Sequence, residues 1–216
     1  MTADVKGDIK SIERRTFQSW FEDGIQELGV GGFCAWLALY FLGQALAPVK
    51  STIKIIVDVG FLPWFFLGGW LSRRIVRSLK QNLTYRRTGF VSYKRPEKKV
   101  RKRISLLAGI LAGGMSFGIV FLWTHKPIGF DPLPIVSGLA FTLVLILMAF
   151  RTGAWRLVLV AAAVAATGTA LSLWGWGEKT NLVAFYALTA AALFVSGGVA
   201  LALYLRQNPV HSEDSE

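Results

Sequence analysis

Residues 134–174 read PIVSGLAFTLVLILMAFRTGAWRLVLVAAAVAATGTALSLW, two apolar runs divided by Arg151-Thr152-Gly153-Ala154. A helix rises about 1.5 Å per residue, so each run comes close to the roughly 30 Å hydrocarbon core of a bilayer. Four linking residues leave room only for an antiparallel helical hairpin. This stretch predicts an all-α integral membrane protein, and the rest of the chain extends the pattern. Of 216 residues, 53% are hydrophobic and only 17% charged, which excludes an ordinary soluble domain.

Apolar runs recur at about 28–47, 53–71, 104–123, 134–150, 155–174 and 182–205, predicting a bundle of six transmembrane helices over 28–206. Short connections at 48–52, 124–133, 151–154 and 175–181 make successive helices antiparallel, and only 72–103 is a substantial loop. With this alternation, twenty of the 24 Lys and Arg fall on one side. Only Lys50, Lys54, Lys126 and Lys179 fall on the other. The positive-inside rule then places both termini and the large loop in the cytoplasm. Trp20, Trp70, Trp123, Trp155, Trp174 and Trp176 sit at span ends, where an amphipathic ring prefers the interface. Trp36 and Trp64 lie deeper and are expected to pack against other helices.

Ala45-Leu46-Ala47 imitates a signal-peptide cleavage site. The lead before the apolar run is nearly thirty residues long and holds six acids, so the first span reads as retained. Within the tail 1–27 and its junction with the first span, Ile9, Ile12, Phe17, Trp20, Phe21, Ile25 and Leu28 approximate one helical face. Lys10, Glu13, Arg14 and Arg15 lie opposite, predicting an interfacial amphipathic helix. The segment 207–216 is polar and acidic and is expected to be a disordered tail.

Enzyme signatures are absent: no His-Glu-x-x-His, no Gly-x-Ser-x-Gly, no P-loop and no dinucleotide fingerprint occur. His125 and His211 are the only histidines and Cys34 the only cysteine, so nothing points to a metal, a cofactor or an internal disulfide. Asp58 is the most suggestive intramembrane acid. Lys54 lies one turn earlier on the same helical face, and Asp58 sits only about 9 Å below the surface. An interfacial ion pair is therefore favoured over a transport site, although Pro63 would kink the span nearby. His125 and Asp131 in the outer loop, with Glu178 beyond, form the one candidate acid–base set. A proline-stiffened turn with solvated charges is the plainer reading. Gly109, Gly113, Gly114 and Gly118 supply two Gly-x-x-x-Gly matches in the third span. Thr167-Gly168-Thr169 and Ser196-Gly197-Gly198 add small residues to the fifth and sixth spans. Tight packing within the bundle is the default reading, and a homodimer face is the alternative.

The loop is the least ordinary segment. Arg73, Arg74, Arg77 and Lys80 are spaced as a helical extension of the second span. Leu83, Tyr85, Val91 and Tyr93 alternate with polar neighbours around Arg86-Arg87-Thr88-Gly89, predicting a short β-hairpin. Lys94, Arg95, Lys98, Lys99, Arg101, Lys102 and Arg103 then lead into the third span. Residues 85–94, Tyr-Arg-Arg-Thr-Gly-Phe-Val-Ser-Tyr-Lys, resemble the Tyr-Pro-Arg-Thr-Gly-Tyr-Val segment of uncharacterised bacterial multi-pass inner-membrane proteins. Arg86 stands for the proline and Phe90 for the tyrosine. The resemblance implies a bacterial membrane location and no activity.

Basic residues interleaved with Tyr and Phe could grip nucleic acid. Anionic lipid headgroups supply the same charge beside the membrane itself, so lipid contact is the favoured role, a membrane-protein partner comes next, and nucleic acid last. Scarce polar groups in the spans favour a non-enzymatic accessory, assembly or lipid-interacting protein. A small transporter using Asp58 ranks second, and a membrane-embedded enzyme using His125 and Asp131 third.

Overall fold

The structure, a computed structural model, describes residues 23–47, 59–84, 130–174 and 176–208, with isolated positions 21, 114, 121 and 124. The described residues form five α-helices and no strand: α1 Ile25–Leu46, α2 Phe61–Leu79, α3 Pro132–Thr152, α4 Arg156–Trp174 and α5 Glu178–Gln207. Four of these, α1, α3, α4 and α5, are long and apolar enough to cross a membrane.

Local chemistry explains the helix ends. Asp131 caps α3 by accepting from the Leu133 N–H, and Pro132 occupies the first helical position, where a missing N–H costs nothing. Gly153 ends α3 at φ 75°, its N–H bonding the Ala149 carbonyl, a conformation that favours glycine. The α3–α4 hairpin is the one read from 134–174. Its helices meet where Gly138 faces Gly168, so closely that a Cβ on Gly168 would lie 2.7 Å from the Pro134 carbonyl oxygen. Thr142 Oγ1 donates to the Ala161 carbonyl across the same seam.

α1 is the hub on the other side, packing along α5 and also against α2, while α5 reaches α4 and touches α3. The core between them is built from Cys34, Leu145, Leu157, Val164, Phe185 and Leu193. Trp36 and Trp64 pack as expected: their rings stack at 4.1 Å, and each indole N–H donates to the other's carbonyl, at 2.9 and 3.1 Å. Both half-buried donors are thereby satisfied within one α1–α2 contact.

Two levels of the bundle can be assigned from contacts. Asp23, just before α1, meets Lys80, just after α2, so α1 starts where α2 finishes. At the far end, Lys179 of α5 donates to the Gln44 carbonyl near the end of α1, and Asn181 donates to Asp131 at the start of α3. α5 crosses back and meets the near end at Gly197, which faces Gly24. Ten further residues carry α5 about 15 Å past that level.

Several expectations need correction. The loop expected over 72–103 begins later, because α2 carries the helical extension read from Arg73, Arg74, Arg77 and Lys80 to Leu79 and on through a π-helical turn, Lys80–Thr84. The segment 72–82 carries strong helix formers, and Lys80 is anchored at its end. Leu83, expected to open a β-hairpin, therefore belongs to a helical turn; residues 85–93 lie outside the described residues. With Arg73, Arg74 and Arg77 in its second half, α2 does not count among the four apolar spans, and 104–123 lies outside the described residues apart from Gly114 and Phe121, so six spans are not reproduced. Ile25 and Leu28, assigned to the N-terminal amphipathic face, instead open α1; Gly24 at φ 67° separates them from Phe21. Gln207 closes α5 rather than starting a tail. Residues 1–20, 85–103 and 209–216 are outside the described set, as are Lys54 and Asp58.

Candidate functional site

The charged side chains with internal partners gather at the two ends of the bundle. At the near end, Asp23 is 1% exposed and pairs through Oδ2 with Lys80 Nζ at 3.1 Å, while its Oδ1 accepts from the Ile25 N–H. One turn into α1, Glu27 is buried and bridges two other helices. Its Oε1 accepts from Arg156 Nε at 2.7 Å, and its Oε2 from the Ser196 hydroxyl at 2.5 Å. Arg156 also donates through Nη2 to the Phe21 carbonyl, and Ser72 to the Gly29 carbonyl, each at 2.7 Å. These bonds tie together α1, α2, α4 and α5. Burial holds the Lys80 ammonium below the usual lysine range, and Asp23 pulls it part of the way back.

At the far end, Asp131 accepts from the Leu133 N–H and from Asn181 Nδ2, while Ser172 accepts through Oγ from the Ile135 N–H. The Asn181 amide oxygen and the Thr189 hydroxyl are buried with no hydrogen-bond partner. Asp131, the carboxylate of the expected acid–base pair, is thus a buried helix cap; its expected partner His125 lies outside the described residues, and Glu178 begins α5.

The second feature of the near end is an open groove of about 710 Å³ between α1 and α2. Phe33 of α1 and Phe65 of α2 meet edge-to-face at 5.1 Å at its inner end, and Gly29, Val30 and Gly69 line its middle. Arg73 and Arg77 stand at its outer end with Gln26 and Gln81. Arg74 points elsewhere, over the exposed Trp70 ring at 5.2 Å.

Of the residues singled out for lipid or partner contact, Arg73, Arg74 and Arg77 are exposed on α2, whereas Lys80 is turned inward to Asp23. Arg86, Arg87, Lys94, Arg95, Lys98, Lys99, Arg101, Lys102 and Arg103 lie outside the described residues. Pro63 falls in the first turn of α2. Val59 is helical, Gly60 is a turn and the helix resumes at Phe61, so the interruption falls where the proline withholds the N–H that would bond the Val59 carbonyl. Of the third-span glycines only Gly114 is described, and it is exposed with nothing within 4 Å of a Cβ placed there; Gly109, Gly113 and Gly118 are outside the set. Glycine faces glycine instead at Gly24 with Gly197 and at Gly138 with Gly168, and Gly29 against Val76 and Gly68 against Trp36 are closer still.

The sequence reading missed Asp23 and Glu27, which looked like members of a polar lead. Arg156, counted there only as a topology-setting charge, is the partner of one of them. The available signal was Glu27 itself, an acid two residues inside a helix whose next acid or base is Lys50. Among the described residues, no three His, Cys, Asp or Glu lie close enough to hold a metal ion. No family model, no curated protein and no solved structure matches the chain.

Proposed function

We propose that the protein is a non-enzymatic multi-pass protein of a bacterial inner membrane, with an accessory, assembly or lipid-interacting role and a basic cytoplasmic side that contacts anionic headgroups. One contrast carries this reading. Asp23, Glu27 and Asp131 are all committed to internal bonds, whereas Arg73, Arg74 and Arg77 are exposed toward the near end with no carboxylate of the described residues paired to them. Internal acids hold the helices, and external bases face whatever lies outside.

Chain direction supports the expected topology. α2 finishes at the near end, beside Asp23, and α3 starts at the far end, beside Asn181. We assign the crossing that this direction calls for to the apolar run 104–123, which has the length to make one. With α2 as a second-span helix the count is six, and the near end is cytoplasmic by its charge.

The test uses single cysteines in a Cys34→Ala background, probed with a membrane-impermeant maleimide on spheroplasts. Lys50→Cys and Lys126→Cys should react on intact cells, and Arg95→Cys and Ser212→Cys only after lysis; reaction of Arg95→Cys on intact cells overturns the orientation. In nanodiscs assembled from an equal mixture of phosphatidylglycerol and phosphatidylcholine, the chain should gather phosphatidylglycerol above its share of the mixture. A share no greater than that of the mixture overturns the headgroup role.

A further inference from the structure

We infer that the α1–α2 groove is a seat for one anionic phospholipid, with its phosphate between Arg73 and Arg77 and an acyl chain lying toward Phe33 and Phe65. The inference rests on the proposed reading of the basic end and assigns it a specific place.

The groove follows one face of each helix. Gln26, Gly29, Val30 and Phe33 lie at helical spacing on α1; Phe65, Gly69, Ser72 and Val76 do so on α2, with Lys80 just beyond its end. From Phe65 to Lys80 it runs about 22 Å along α2. Its volume of about 710 Å³ lies within the range of sites that enclose a small organic ligand. The wall is mostly apolar, and its polarity is graded along its length. Two aromatic rings close the inner end, glycines and valines form the middle, and two guanidiniums mark the outer end.

That gradient selects the ligand class. A free phosphate or a sugar phosphate would use the arginines and leave the apolar length wet. A neutral hydrocarbon would leave two cations without a counter-charge. A phospholipid with a net negative headgroup matches both halves, and the bilayer holds it in the required orientation. Lys80 does not compete for the headgroup, because its ammonium is held by Asp23 at 3.1 Å. Ser72, at the boundary, is also committed, donating to the Gly29 carbonyl. Arg73 and Arg77 have no carboxylate of the described residues within ion-pair distance.

Gly69 makes the proposal testable without breaking the fold. It lines the groove, yet a Cβ there meets nothing within 4 Å, so a larger side chain fills the groove rather than colliding. Gly29, on the facing wall, lacks that freedom because Val76 would meet its Cβ.

The experiment is native mass spectrometry of the full chain in detergent, titrated with dioleoylphosphatidylglycerol, dioleoylphosphatidylcholine or glycerol phosphate. The wild type should retain one phosphatidylglycerol, and neither of the other two. Arg73→Gln/Arg77→Gln should weaken retention about tenfold to thirtyfold, from the loss of two near-surface cations. Gly69→Leu should weaken it about as much with both arginines present, and Gly43→Leu, open on α1 near the far end, should leave it unchanged. Equal retention of the two lipids overturns the proposal. So does retention of phosphatidylglycerol that neither groove variant weakens; if enrichment of phosphatidylglycerol in mixed nanodiscs persists in that case, the basic-end reading stands and only the groove assignment falls. A disulfide forming readily between Gly69→Cys and Gly114→Cys in a Cys34→Ala background also overturns it, because this chain's own residues would then fill the groove.

Discussion

Glu27→Gln isolates the charge that joins three helices while keeping the side chain's size. In the native chain Glu27 is 7% exposed and carries two short bonds, from Arg156 Nε at 2.7 Å and from the Ser196 hydroxyl at 2.5 Å. Gln keeps an oxygen for Arg156, and the serine hydroxyl can rotate to accept from the new amide, so the bond count survives. What is lost is the anion. Removing one partner of a fully buried pair costs about 3–5 kcal/mol, whereas an exposed pair contributes about 0–1. Arg156 is 32% exposed and retains the Phe21 carbonyl, so its orphaned charge reaches water and the expected loss is about 2 kcal/mol. Reversible unfolding in mixed micelles measures this value. A cycle with Arg156→Met should show a coupling of about 1–2 kcal/mol, since Glu27→Gln then has little left to remove. A loss below about 0.5 kcal/mol, or strict additivity with Arg156→Met, refutes the claim that this pair is a buried tie.

Other perturbations probe the rest of the bundle. Gly168→Leu should cost at least about 1–3 kcal/mol by overpacking, because its Cβ would press on the Pro134 carbonyl at 2.7 Å; Gly198→Ala, with nothing within 4 Å, should be neutral or stabilise by up to about 1 kcal/mol, and thermal unfolding compares the two. Trp36→Phe removes the donor to the Trp64 carbonyl and weakens the stack, for a loss of about 1–3 kcal/mol by the same assay. Burial lowers Lys80 below the 10.5 of a free lysine, so between that lowered value and 10.5 the unfolded chain binds more protons than the folded one. Stability should therefore gain a component that rises with pH through this window. Comparing unfolding of wild type and Lys80→Met across alkaline pH should show that component missing from the variant.

Apolar helices that face lipid on one side and each other on the other need no partner to be recognised, and their composition alone exposes them. This is why α3, α4 and α5 lie within a few residues of the runs at 134–150, 155–174 and 182–205. α1 was legible for the same reason, although its start was set too late, at 28. The true start depends on Asp23 and Gly24, an acid accepting from the Ile25 N–H and a glycine at φ 67°, and neither is apolar. The end of α2 was legible by spacing rather than by hydropathy: its apolar stretch ends before the helix does. Arg73, Arg74 and Arg77 continue the helical register although they break the hydropathy.

The near-end network was hidden by sequence distance. Glu27 finds its partners 129 and 169 residues downstream, and no local pattern distinguishes an acid that will meet Arg156 and Ser196 from one that will meet water. Ser196 and Gly197 were legible as small residues suited to close packing, and Gly197 does meet Gly24. That approach brings α5 close enough for the Ser196 hydroxyl to reach Glu27. Close packing and polar bonding are thus one event at this level of the bundle: the glycines remove the bulk that would hold α1 and α5 apart, and the carboxylate uses the short gap. A larger residue at 197 should therefore weaken the Glu27–Ser196 bond as well as the packing. In Gly197→Ala, whose Cβ would lie 2.8 Å from the Gly24 carbonyl oxygen, the further change Ser196→Ala should cost less than the roughly 1.5–3 kcal/mol that a bond to a carboxylate contributes in the wild type. Equal costs in both backgrounds would show that the two contacts form independently.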